Sequence, residues 1–443
     1  MFSGKRYDGF MPKHFPHFLV ITLAVALGII LALQLFRTSF SLPSQMFARI
    51  PASVGNKPAP IPVLKVENVT ISNRKSISAT QIRSALQSSV GNKHAQYTLQ
   101  EYQLQWNVSV EDGSLAPVMA QVFVPVVPEG EALRQFPVIV YGAGTTGLAD
   151  RCAPSREDLS RGNMGNYRNY MISEASQGYI VVMPNYEGFD NPRRNQHYFN
   201  KDNEARTMLS AAKALVTAAP NAGIPAKQGA VFLGGYSQGG HAAFSAVDYA
   251  DTYLPDIKIA GVFGHGPTTN IVGYLKSNPN LTAYFIASYS EYYPAIDPKQ
   301  ILEPEWIGYL ERAKKLCVDE GFGINSTTIA RVFADPFEKA LVNNTLATDF
   351  PAVNKVFDEN NAGTSYVGIP TMIAQGSIDP VVTPKTQDVF INQLCARGVS
   401  VNLKEYKGVH HFNTRQASFS DTNTWIDAIT QGKTVNNSCV TRK

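Results

Sequence analysis

The longest apolar run of the chain is Phe18 to Leu33, with nothing more polar than Thr22 and Gly28, and Gln34, Leu35 and Phe36 extend it to nineteen residues. A helix of that length rises about 28 Å, close to the roughly 30 Å of a bilayer core. Lys5, Arg6, Lys13 and His14 precede it and Arg37 follows. The excess of positive charge before the run keeps residues 1–17 in the cytoplasm and sends everything after it across the membrane. Residues 18–36 are therefore expected to be one transmembrane anchor. The rival is a cleaved signal peptide, for which Ser39-Phe-Ser41 is a poor cleavage site. Pro51, Pro58, Pro60 and Pro62 mark a semi-rigid tether within a linker spanning 37–75.

Beyond the linker the periodicity changes. Tyr97 to Val110 and Val118 to Val126 read as strands joined at Glu111-Asp-Gly-Ser114, a hairpin. Short apolar runs then alternate with helical stretches. Strands are expected at Pro137–Tyr141, Tyr179–Met183, Ala230–Gly234, Ile259–Phe263, Thr371–Ala374 and Val401–Glu405, and helices at Asn166–Gln177, Glu204–Ala218 and Gly239–Tyr249. Continuous apolar strands separated by helices predict an α/β body with a mostly parallel sheet covered on both faces. Residues 268–366 break the rhythm with helical, aromatic-rich sequence such as Tyr284-Phe-Ile-Ala-Ser-Tyr-Ser-Glu-Tyr-Tyr293. That is too long for a loop, so a helical insert is expected between a first core segment, 76–267, and a second, 367–443.

Composition narrows the function classes. With 17% charged and 10% aromatic residues over 443 positions, the chain is neither disordered nor a coiled coil. Its 39 Lys and Arg against 35 Asp and Glu leave a formal charge of +4, too small and scattered for a nucleic-acid surface. No obligate protein partner is evident. A body carried out of the cytoplasm makes Cys152, Cys317, Cys395 and Cys439 disulfide formers, with three pairings open. Sequons such as Asn68-Val-Thr70 and Asn325-Ser-Thr327 carry glycans only in a eukaryotic source. With no metal-ligand cluster and no dinucleotide fingerprint, no cofactor is expected.

The chemistry concentrates at three places. Gly235-Tyr-Ser-Gln-Gly239 follows an expected strand and opens an expected helix, the strand–turn–helix context of a nucleophile elbow, and makes Ser237 the candidate nucleophile. A serine hydroxyl needs a base held by an acid. Asp379 stands just past the strand at Thr371–Ala374, where ligand chemistry collects in open α/β sheets. The strand from Val401 ends in Lys407-Gly-Val-His410-His411-Phe412. A Gly, two residues, a His and an apolar residue fit His411 as the base, with His410 the alternative and His265 a distant one. His241, on the elbow helix, reads as a packing residue or one that supports the site from behind. Two N–H donors must face a developing oxyanion. One is Gln238; the other is expected from the loop Gly142-Ala-Gly-Thr-Thr-Gly147, at Thr145, with Thr146 next.

Taken together, Gly144-Thr-Thr-Gly147, Asp150-Arg-Cys-Ala-Pro-Ser155, Asn185-Tyr-Glu-Gly188 and Gly235-Tyr-Ser-Gln-Gly-Gly240 resemble the secretory lipase family of α/β-hydrolases over about residues 95–435. The resemblance implies hydrolysis of carboxylic esters, acylglycerols included, with residues 268–366 as a helical cap, or lid, over the acyl pocket. It also implies the disulfides Cys152–Cys317 and Cys395–Cys439. Two positions depart from the pattern: Ala143 stands where bacterial relatives usually carry His, and Asn185 where many carry Asp. The expected partners are thus an ester or lipid substrate and, through the N-terminal helix, a membrane. The body would then be periplasmic or extracellular, or secreted outright if the N-terminal segment is cleaved. Two other readings of the same residues are a peptidase or amidase, and a catalytically dead, membrane-tethered binding protein.

Overall fold

The computed structural model describes residues 64–129, 135–160, 164–191, 194–224, 229–320 and 329–442. The expected anchor at 18–36, most of the tether and the Asn325 sequon lie outside the described residues. No helix among those described is long and apolar enough to cross a membrane.

The described residues form one mixed sheet of nine strands in the order β1-β2-β3-β5-β4-β7-β8-β9-β10. Its antiparallel side consists of β1 (Val66–Ile77), β2 (Thr98–Ser109) and β3 (Leu115–Val126), the last pairing antiparallel with β5 (Ile180–Pro184). From there the ladder is parallel through β4 (Val138–Gly142), β7 (Val231–Tyr236), β8 (Ile259–His265), β9 (Thr371–Gly376) and β10 (Val401–Tyr406). A short strand, β6 (Glu187–Asp190), follows β5 outside this order. The parallel strands β4, β5, β7 and β9 are buried along their whole length, as their unbroken apolar runs require when both faces are covered.

Strand alternation divides the core. Val138 and Val140 belong to one apolar cluster, Ile139 and Tyr141 to another, so successive side chains enter opposite faces. On the first face lie α3 (Lys201–Ala218), α4 (Gln238–Tyr253) and α9 (Pro384–Ala396). On the second lie α1 (Ala79–Ser89), α2 (Tyr167–Ala175) and α10 (Thr414–Thr430).

The first expected core segment opened at 76, with 66–75 in the linker; the structure instead has β1 there. Val66, Val69 and Ile71 pack against the first cluster while their neighbours face water. Two register shifts, one around Asn68 at φ 54, interrupt the alternation and hide it from a sequence reading. Between β8 and β9 the chain forms helices α5 (Ile271–Ser277), α6 (Thr282–Tyr292), α7 (Asp335–Asn343) and α8 (Pro351–Glu359), with shorter turns between them. These helices build a third apolar cluster around Tyr274, Phe285, Tyr289, Phe337 and Phe357, joined from outside the stretch by Leu148, Tyr198 and Phe199. Disulfides link Cys152 to Cys317 and Cys395 to Cys439.

Candidate active site

β7 delivers Ser237 at the point where strand becomes helix. Its backbone sits at φ 54, ψ −113, a conformation that β-branched and bulky residues avoid and that marks a tight, strained turn. The two flanking glycines have separate reasons. A Cβ on Gly235 would strike the Gly239 carbonyl, and a Cβ on Gly239 would strike the Gly142 carbonyl, so the elbow closes only with hydrogen at both positions. The turn is pinned by Ser237 N–H donating to the His265 carbonyl (3.1 Å) and by the Ser237 carbonyl accepting from Thr268 N–H (3.1 Å).

Asp379, one turn past β9, divides its oxygens. Oδ1 accepts from the N–H groups of Val381 and Val382, both at 2.8 Å, which fixes the carboxylate. Oδ2 lies 2.7 Å from His411 Nδ1. A carboxylate there places the proton on Nδ1 and leaves Nε2 as an acceptor. The pair is packed against the backbone of Gly266 (φ +52), where a Cβ would stand 3.0 Å from His411 Nδ1 and 3.1 Å from Asp379 Oδ2. Ser237 and His411 line the same cavity, of about 610 Å³, with Thr145.

The alternatives to His411 sit elsewhere. The His410 ring stacks on Phe412 at 5.4 Å, and its carbonyl accepts from Asn413 N–H, with no bond to Asp379. His265 is buried between Tyr141 Oη (3.1 Å) and Thr422 Oγ1 (3.3 Å), and burial pushes its pKa down to about 3, so it stays neutral inside the core.

In the loop after β4, Thr145 lines the cavity and its Oγ1 is 2.7 Å from Tyr198 Oη, which in turn is 2.9 Å from Tyr274 Oη. Thr146 is buried, and its carbonyl accepts from Val318 N–H at 2.8 Å. Of the two departures from the family pattern, neither lines the cavity. Ala143 is part of the second-face core. Asn185 binds Ser155 N–H (3.1 Å), Ser155 Oγ (2.9 Å) and Asp190 Oδ2 (2.7 Å), and so holds the Cys-Ala-Pro-Ser segment in place.

Beneath the elbow lies a network that the sequence did not disclose. Gln238 Nε2 donates to Glu204 Oε1 (2.9 Å), Glu204 Oε2 lies 2.5 Å from His241 Nδ1, and His241 Nε2 donates to the Asn360 carbonyl (2.7 Å). Glu204, Gln238 and His241 are wholly buried. Of the two expectations for His241, its contact with Glu204, which in turn holds Gln238, is the supporting one. The only sequence signal was an acidic residue on the inner side of an amphipathic helix.

Comparison with known proteins places this chain in a family. Residues 158–438 match the family model described as secretory lipase. Lipase A of Moesziomyces aphidis is 24% identical over 70% of this chain and 68% of its own length. A probable inactive lipase of Mycobacterium tuberculosis (strain CDC 1551 / Oshkosh) is also 24% identical, over 71% of this chain and 70% of its own. A crystal structure of a putative hydrolase from Legionella pneumophila superposes with a TM-score of 0.68 at 19% identity, covering 83% of this chain and all of the other, which is agreement of fold. The chain belongs to the secretory lipase family, and so to the lipase and esterase class of hydrolases.

Proposed function

We propose that the chain is a serine hydrolase of carboxylic esters, acylglycerols among them, working through an acyl-enzyme. The observation that carries this reading is the Asp379–His411 hydrogen bond beside a cavity that Ser237 also lines. Ser237 Oγ attacks the ester carbonyl while His411 Nε2 takes its proton, and Asp379 holds the imidazole in that tautomer and stabilises its cation. The tetrahedral oxyanion is met by the N–H groups of Gln238 and Thr145. As the intermediate collapses, His411 returns the proton to the departing alcohol. Water, deprotonated by the same histidine, then releases the acid from Ser237.

In this reading residues 268–366 are a cap. Asn278, Asn280, Leu281 and Val318, all within that stretch, contribute to the cavity wall. Residues 18–36 anchor the protein to a membrane, and the catalytic body acts on the far side. Alkaline carbonate extraction of membranes tests the anchor: release into the soluble fraction rules it out.

The probable inactive relative keeps one rival in view, a binding protein that has lost its chemistry. The presence in this chain of Ser237, Asp379 and His411 together favours the enzyme. Labelling by a fluorophosphonate probe decides. Wild type should label and the folded Ser237→Ala protein should not, with ester turnover falling by on the order of a million-fold. Turnover above a tenth of wild type in that variant would remove Ser237 from the role. A panel of p-nitrophenyl esters and the matching anilides separates esterase from amidase.

A further inference from the structure

The cavity beside Ser237 has a mixed lining. Met164, Leu281, Val381 and Phe412 give it apolar wall, Asn166, Asn280 and Gln416 polar wall, and Arg415 lines it too. Arg415 stands four residues after His411, in the first turn of α10, and only 9% of it is exposed. Its Cζ lies 4.9 Å from the ring centre of Tyr167, 5.1 Å from that of Tyr170 and 4.7 Å from that of Tyr236. Nη2 donates to the Gly165 carbonyl, while Nε and Nη1 are closed off from solvent and have no hydrogen-bond partner among the described residues.

The charge is cancelled only in part. Among the described residues Arg415 makes no ion pair. The Glu157 carboxylate feels the guanidinium, but its hydrogen bonds go to the N–H groups of Asn166 (2.7 Å), Tyr167 (2.7 Å) and Arg168 (3.3 Å). Glu174, one turn beyond Tyr170 on α2, is buried, which pushes its pKa up to about 8 and leaves it mostly neutral at pH 7. A guanidinium cannot discharge itself in this way, because it stays protonated at any physiological pH. Three aromatic faces offset part of its desolvation. They do not neutralise it. A permanent cation in the wall of an active-site cavity, without an ion pair, draws an anionic ligand there through its charge.

We propose that the cavity takes esters carrying an anionic group, a carboxylate or a phosphate, and that Arg415 selects them. The proposal rests on the hydrolase reading for its chemistry but not for its binding. The anion could stand on the acyl side or on the alcohol side of the ester, and two substrate pairs separate these sources. Monomethyl adipate against methyl hexanoate places a carboxylate at the end of the acyl chain. 1-Butyrylglycerol 3-phosphate against 1-butyrylglycerol places a phosphate on the alcohol. In at least one pair kcat/KM should favour the anion by about tenfold or more, the scale of one charge–charge interaction across several ångströms of partly screened protein. That preference should weaken with added salt.

Arg415→Gln should bring the ratio of the favoured pair close to one while slowing the neutral member much less, and Arg415→Lys should keep part of it. An arginine that merely braces the tyrosines would slow both members alike and leave the ratio where it was. No preference in wild type for either anion, or a preference that survives Arg415→Gln, overturns the proposal. Should Arg415→Gln fail to fold, calorimetric binding to the Ser237→Ala protein still decides. Tighter binding of an anionic ester than of its neutral partner upholds the subsite, and equal binding of both pairs removes it. Turnover of neither member by wild type, with no fluorophosphonate labelling, would instead defeat the hydrolase reading and leave the binding comparison to judge the subsite.

Discussion

Asp379 illustrates how one residue's two oxygens divide a task. Oδ1 is locked by two backbone N–H groups, so Oδ2 has a single position from which to accept from His411. Asp379→Asn would keep the shape but present either an amide hydrogen or a weaker acceptor to Nδ1, and kcat should fall by on the order of ten-thousand-fold in a steady-state ester assay. His411→Ala should abolish turnover, whereas His410→Ala should only reduce it, because the His410 ring rests on Phe412 and has no bond to Asp379. The reverse ranking would transfer the base to His410. These candidates were legible because each belongs to a short local signature: a glycine-flanked serine between strand and helix, and an acid and a histidine just beyond strand ends. Glu204 and Arg415 were not legible. Their meaning comes from contacts with Gln238 and His241, and with Tyr167, Tyr170 and Tyr236, residues brought together only by folding.

At the scale of elements, α2 shows what a sequence pattern can and cannot convey. Its helix was expected at 166–177 and is found at Tyr167–Ala175, yet a buried acid inside it could not be told from a solvated one. Glu174 is 1% exposed, and burial raises its pKa from the ordinary 4.5 to about 8. The folded state therefore binds this proton more tightly than the unfolded chain does. The resulting stability is fully present below about pH 4.5, declines as pH rises toward 8, and levels off above that. Glu174→Gln cannot titrate, so its Tm should fall less than that of wild type between pH 5 and pH 8.5, a comparison that differential scanning calorimetry makes directly. Parallel slopes for the two proteins would show that Glu174 is solvated or partnered. Helix starts follow the same logic of contact. α3 begins at Lys201, ahead of the expected 204, because the Asn200 side chain accepts from Asn203 N–H. β1 escaped notice because its two register shifts spoil the alternation by which an edge strand is recognised.

For the molecule as a whole, the two disulfides differ in what they hold. Cys152–Cys317 spans 165 residues and Cys395–Cys439 spans 44. Loop-closure entropy alone would have them stabilise the fold by at most about 5 and about 4 kcal/mol, so stability does not separate them well. Position does. Gly147 bridges to Cys317, and the Thr146 carbonyl accepts from Val318 N–H, so the first disulfide fastens the loop carrying Thr145 to the helical stretch that lines the cavity through Val318. The second joins α9 to the turn at Ser438–Val440, whose residues do not line the cavity. Replacing Cys152 and Cys317 together by Ala should lower Tm by roughly 3–6 °C and also reduce kcat/KM if Thr145 N–H is the oxyanion donor proposed above, because a donor displaced by even an ångström stabilises the transition state poorly. Replacing Cys395 and Cys439 should lower Tm by a similar amount and leave kcat/KM within about twofold, since no first contact with substrate depends on them. Thermal melts and ester kinetics on the two double variants, each assayed well below its own Tm, test this. Equal losses of kcat/KM in both would mean that the loss does not arise at the Thr145 loop, and none in the first would mean that the loop keeps its geometry without the covalent tie, held by packing of Leu148, Tyr198 and Phe199 into the helical cluster.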